Sequence, residues 1–195
     1  LVISGGNGTV SSANVATYSS SAINEGTLTL GNGANGGLAS NYTLTGHASS
    51  SFQINQRVLN SSGSRIYDGS TTASSSDLTL SNLVGTETLT LSGNGTLANA
   101  NVATNKSVTL NTLSIADGSN GGLAANYILA GGTHQLSVTQ RVLNATGTRL
   151  YDASTNANSS DLSLGNLVGS ETLVLSGVGT LADKNVATNK TISVG

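Results

Sequence analysis

The side chains able to do chemistry are few. They comprise two histidines, His47 and His134, and three pairs that recur along the chain: Glu87 with Glu171, Asp77 with Asp161, and Lys106 with Lys190. Acyl or phosphoryl transfer needs a nucleophile, a base and a charge-stabilising group converging in one pocket. Here each candidate stands apart from the others in sequence. The two histidines lie at nearly matching places before strands, where a surface position is expected, and the carboxylates are placed to cap turns. Duplication points the same way, because a catalytic pocket gains nothing from being copied along a chain. We expect no catalytic residue, no cofactor and no enzyme activity.

Two further chemistries have a local motif. The loop Asp117-Gly118-Ser119-Asn120-Gly121-Gly122 offers oxygen ligands to calcium, but with one carboxylate where calcium loops bring several, and the matching stretch Gly31 to Gly37 has none. No metal site is expected. Lys106 and Lys190 lie near asparagines and not far from Glu87 and Glu171, the residue set of a Lys–Asn isopeptide crosslink; a salt bridge or a solvent-facing lysine is the expectation. With no cysteine, thiolate catalysis, disulfides and thiolate-bound zinc are excluded.

These residues sit in a chain patterned for strands. Leu78-Thr79-Leu80, Thr88-Leu89-Thr90-Leu91 and Ser107-Val108-Thr109-Leu110 alternate apolar with hydroxylated side chains, the period of a half-buried strand. No run has helical periodicity. Asn-Gly steps at Asn7, Asn32, Asn35, Asn94 and Asn120 predict tight turns, so short antiparallel strands joined by tight turns are expected. Only six aromatic residues are available, which makes the core thin and aliphatic. Tyr42, Tyr67, Tyr127 and Tyr151 are the expected anchors of each module, Tyr67 and Tyr151 beside Asp68 and Asp152.

The strongest signal is self-similarity. Arg57 to Leu110 and Arg141 to Val194 align without a gap and share 36 of 54 positions, a period of 84 residues. Asn14 to Thr17 repeats the NVAT of Asn101 to Thr104, and GGLASNYTL from Gly36 matches GGLAANYIL from Gly121. The domain reading is therefore 1–56 as the C-terminal part of a preceding repeat, 57–140 as a complete repeat and 141–195 as the N-terminal part of the next. Apolar positions recur while Asn99 and Ala100 change to Asp183 and Lys184, so substitution follows burial. Comparing copies also refines the turns. Asp68-Gly69 returns as Asp152-Ala153, predicting an Asp-led turn that tolerates a Cβ, whereas Gly85, Gly93 and Gly95 return as glycine and are expected to be required by the backbone. No subperiod of roughly 20 to 30 residues divides the repeat, so tandem elongated β-sandwich-like modules are expected, with a β-solenoid as the alternative.

Charge narrows the partners. A net charge of -2 with seven basic residues in no stripe offers a phosphate backbone nothing to neutralise, which excludes nucleic acid. No segment is long and apolar enough to span a bilayer as a helix. The chain lacks an initiator Met and a signal-peptide pattern, so an internal piece of a longer protein is expected.

Tyr67-Asp68-Gly69, the LADKNVATNK from Leu181 and the Asn-Tyr-Ile-Leu from Asn126 resemble the YDG and related mostly-β, glycine-rich repeat domains of very large secreted bacterial proteins similar to filamentous haemagglutinin-type adhesins. The sequence departs from that pattern at Ala153, Ala103 and Ala187, each in place of the family's glycine. The resemblance implies a secreted, cell-surface location, export across the outer membrane by two-partner secretion, and work in adhesion, aggregation or biofilm matrix. The expected role is a stalk or spacer whose partners are neighbouring repeats. The alternative is a module that binds host or matrix glycans or other copies of itself, for which unpaired strand edges supply a physical means.

Overall fold

The computed structural model describes residues 2–44 and 50–193. Within them the chain is all-β: short strands are joined by turns, the only helical pieces are single turns of 3-10 helix, and no sheet closes into a barrel. No helix among the described residues is long and apolar enough to cross a membrane.

The copy spanning 57–140 holds the main sheet. Its strands run in the order Leu78–Ser81, Asn60–Ile66, His134–Thr139, Ala103–Ser107. Three two-stranded ribbons accompany it: Thr72–Ser74 with Asn94–Thr96, Leu89–Ser92 with Ser114–Asp117, and Arg57–Val58 with Tyr127–Ile128. Most pairs are antiparallel, as the turn signals predict, but two are parallel. His134–Thr139 lies parallel to Asn60–Ile66, pairing His134 with Ser61 through Thr139 with Ile66, and Tyr127–Ile128 lies parallel to Arg57–Val58. A parallel pair needs a long crossover rather than a tight turn, and residues 67–133 form it here. Neighbouring-strand patterning carries no trace of such a distant partner.

One apolar cluster sits beneath this sheet: Leu59, Ala73, Leu78, Leu97, Val108, Leu113, Tyr127, Leu129, Leu136 and Val138. All ten lie in the same copy. The thin aliphatic core follows from composition, and its centre is the strand His134–Thr139, whose alternate residues His134, Leu136 and Val138 are buried. Fully burying Leu136 or Leu59 contributes roughly 2 kcal/mol each.

The turns follow the Asn-Gly steps in part. Asn35-Gly36 and Asn120-Gly121 carry paired positive φ, 54° and 77°, 56° and 86°, the geometry of a two-residue hairpin turn. Asn94-Gly95 instead lies inside a strand, because a Cβ on Gly95 would stand 2.4 Å from Val108 and 2.7 Å from the Thr109 carbonyl oxygen; glycine is there for space.

The flanking copies repeat parts of this plan. Near the start, Ala16–Ser19 pairs antiparallel with Ser51–Ile54. After Arg141, Asn144–Gly147 pairs with Leu162–Gly165, and Asn156–Asn158, Val178–Leu181 and Ile192–Ser193 form a second small sheet.

Candidate functional site

The Tyr-Asp-Gly turn is organised by an arginine two residues before the tyrosine. Arg65 donates from Nη1 to the Thr72 carbonyl at 2.5 Å and from Nη2 to the Ser70 carbonyl, and its guanidinium stands 3.3 Å from the Asp68 carboxylate. Asp68 Oδ1 accepts the Ser70 N–H at 2.9 Å, closing the turn. The second copy reproduces the device: Arg149 donates to the Ser154 carbonyl at 2.5 Å and pairs with Asp152, whose Oδ1 accepts the Ser154 N–H at 2.9 Å. That N–H, together with Arg149, holds the Asp152 carboxyl below the usual carboxylate range. The turn is Asp-led in both copies, as the sequence comparison predicts. The tolerated Cβ does not come from a relaxed backbone, however. Gly69 has φ +75° and Ala153 keeps φ +63°, so the alanine sits in the left-handed region at a cost of roughly 1 kcal/mol. Gly85 and Gly93 hold positive φ, as do Gly169 and Gly177.

The four tyrosines divide. Tyr127 is 3% exposed within the core; its phenol donates to Glu87 Oε2 and accepts the Val84 N–H at 3.1 Å. Burial, then the bond to Glu87, raises its pKa, with the Val84 N–H opposing. Tyr67 is half-buried against the same core, and its phenol donates to Glu171 Oε1 in the following copy. That bond is the main cause of its raised pKa. Tyr42 and Tyr151, expected to bury as anchors, are 59% and 60% exposed. Tyr42 is the counterpart in sequence of Tyr127, and Tyr151 of Tyr67.

Tyr67 thus marks a seam between two copies. A Cβ at Gly69 would come within 3.0 Å of Val168 Cγ1. A groove of about 400 Å³ runs along the seam, with Tyr67 and Val102 on one wall and Val142, Leu143, Glu171 and Leu173 on the other. Glu87 and Glu171, expected to cap turns, are the acceptors of the two phenols.

The remaining candidates do not converge. His134 is buried rather than on the surface: Nε2 faces the Leu129 carbonyl at 2.8 Å and must donate, so Nδ1 accepts from the Ser61 hydroxyl at 2.9 Å. Ser61 is Ala145 in the other copy, which marks this as a satisfied buried pair rather than a repeated device. His47 lies outside the described residues. Asp77 falls in a single 3-10 turn, and Asp161 accepts from Asn158 at 3.3 Å in the equivalent turn. Lys106 donates to Asn99 and to the Asn101 carbonyl, and Lys190 pairs with Asp183 at 2.5 Å. The exchange of Asn99 for Asp183 therefore turns a hydrogen bond from a charged ammonium to a neutral amide into an ion pair, and Lys190 holds the Asp183 carboxyl below its usual range. In the Asp117 loop, Oδ1 accepts the Ala124 N–H at 2.7 Å, the same bond that Asn32 makes to Ala39 at 2.8 Å. No group of three or more potential metal ligands occurs among the described residues.

One recurrent clasp went unrecognised in the sequence. Arg57 bonds Asn82 through its carbonyl at 2.6 Å and its Oδ1 at 2.7 Å, and Asn82 returns a bond to the Val58 carbonyl at 2.6 Å; Arg141, Asn166 and Val142 repeat the arrangement. Each asparagine holds positive φ, 72° and 68°. The signal was available: an arginine and an asparagine at the same spacing in both copies, beside the Arg-x-Tyr of the turn.

The family profile of the YDG domain matches residues 54–135 and, a second time, residues 134–195. No curated protein and no solved structure matches the chain.

Proposed function

Since the chain belongs to the YDG domain family, we propose that it is a structural stalk or spacer region of a large secreted bacterial surface adhesin. In this reading one YDG unit follows another, and their number sets the distance between the cell and an adhesive end or the bulk contributed to a biofilm matrix. The observation that carries it is the seam at Tyr67. Each copy spends its chemistry on its own turn and on its neighbour: Arg65 builds the turn, and Tyr67 reaches Glu171 in the next unit. The core cluster lies wholly in one copy, as a module added for length requires. Among the described residues, His134, Glu87, Glu171, Lys106 and Lys190 are each bonded to other side chains or carbonyls of the chain.

Small-angle X-ray scattering tests this. A compact globule of this length has a radius of gyration of about 16 Å. The stalk reading expects a value well above that, extrapolated to infinite dilution and growing with each added unit. A value near 16 Å would mean that the copies fold into one body, and would remove the reading.

A further inference from the structure

The chain enters and leaves the complete unit, 57–140, through neighbouring strands. Asn60–Ile66 and His134–Thr139 fill the middle of the four-stranded sheet, with Leu78–Ser81 and Ala103–Ser107 outside them. They run parallel, from Ser61 beside His134 to Ile66 beside Thr139. The parallel contact starts further back, where Arg57–Val58 meets Tyr127–Ile128 and the Leu59 N–H bonds the Ile128 carbonyl at 2.9 Å. Side chains stitch the contact along its length. Gln56 Nε2 donates to the Tyr127 carbonyl at 3.0 Å, Asn60 Oδ1 accepts the Thr133 N–H at 2.8 Å, and Thr139 Oγ1 donates to the Arg65 carbonyl at 3.2 Å. Leu59, Leu136 and Val138, the largest fully buried side chains among the described residues, all stand on these two segments.

Tension along the chain pulls Arg57 toward the preceding residues and Thr139 toward the following ones. Because the two strands are parallel, those pulls run in opposite directions along the ladder, and the strands part only by sliding. Sliding loads the evenly spaced bonds together and drags Leu59, Leu136 and Val138 through a close-packed core in the same step. Antiparallel neighbours would instead open one bond at a time from one end. Little slack precedes or follows the ladder: only Asn55 and Gln56 separate Ser51–Ile54 from Arg57, and after Thr139 come Gln140 and then Arg141, where the repeat restarts. We propose that this parallel pair is a mechanical clamp and that the unit carries tensile load, delivered to it by the neighbouring units of the chain. A spacer has only to hold a distance, so load bearing goes beyond the stalk reading, on which its use in series rests.

The direction of pulling tests it. The chain has no cysteine, so paired cysteines introduced into the full chain place the handles. Asn55→Cys with Gln140→Cys applies force to opposite ends of the ladder. Ile66→Cys with Gln140→Cys applies it at one end and peels the same bonds in turn. All three positions are exposed, and neither pair alters the ladder itself. In optical tweezers at one loading rate, the first pair should need roughly twofold or more the force of the second, because forced unfolding follows the barrier to unfolding and not the equilibrium stability. The first pair should open in a single step of roughly 270 Å, the extended length of the unit less that of the folded ladder. Equal forces in the two directions, or a first pair that opens in several smaller steps, would overturn the clamp. The stalk reading is tested apart from this, by the radius of gyration.

Discussion

Val58 and Val142 hold the same place in two copies of one repeat, yet the first is 38% exposed and the second 78%. Tyr67 and Tyr151, and Val102 and Val186, differ in the same direction. Local chemistry does not account for the difference, because the Arg-Asp turn and the Arg-Asn clasp are built alike in both. What separates them is the segment after Leu110. In the copy spanning 57–140 it contributes Leu113, Tyr127, Leu129, Leu136 and Val138, half of the core cluster, and threads a strand into the middle of the main sheet. The apolar cluster of the complete unit is therefore assembled from both of its halves.

The comparison can be broken at its centre. Leu136→Ala should cost about 3 kcal/mol by calorimetry or denaturant unfolding, because Leu136 is fully buried in the strand that closes the unit. Phe52→Ala, at the counterpart position, should cost less than about 0.5 kcal/mol in the monomer. Equal costs would show that the opening copy is closed in the same way.

The two phenol pairs sharpen it. Tyr127→Phe leaves Glu87 without its donor and the Val84 N–H without its acceptor inside the core, and should cost about 1–2 kcal/mol. Tyr67→Phe should barely move the melting temperature but should lower the radius of gyration or broaden the scattering-derived distance distribution, since its bond joins two copies. Alkali acts on both pairs. Each phenol has a folded pKa raised above the ordinary value near 10, so the folded state holds the proton more tightly. The stabilisation is complete below pH 10 and is lost as pH rises from there through the folded values. Melting temperature measured from pH 9 upward should fall less in Tyr127→Phe than in the native chain.

The smallest effect concerns the one charge exchange between copies. The Asp183 pKa is lowered by Lys190, so its contribution is present above the unfolded carboxylate value near 4 and disappears as pH falls through the folded one. Asp183→Asn restores the Lys106–Asn99 arrangement. The variant should lose less melting temperature than the native chain between pH 5 and 3, a difference that salt should shrink.

The all-β class, part of the turns and the repeat were legible because each depends on neighbours in sequence. Leu78-Thr79-Leu80 alternates wherever it is placed, and an aspartate two residues before Ser70 closes its turn within a few residues of sequence. The seam was hidden because Tyr67 and Glu171 are 104 residues apart and Glu171 has an ordinary local setting. His134 was misjudged for the same reason: its burial comes from Ser61 and the strands on either side, not from its own segment.

By itself, then, the sequence determined that this chain is all-β, that its units repeat every 84 residues and that its turns draw on asparagine, glycine and aspartate. Only the tertiary structure decided which strand lies parallel in the middle of the sheet and which tyrosines are covered. The physical reason is that periodicity records which face of a strand is apolar, while the identity of the partner depends on chain crossovers that leave the pattern of each strand unchanged.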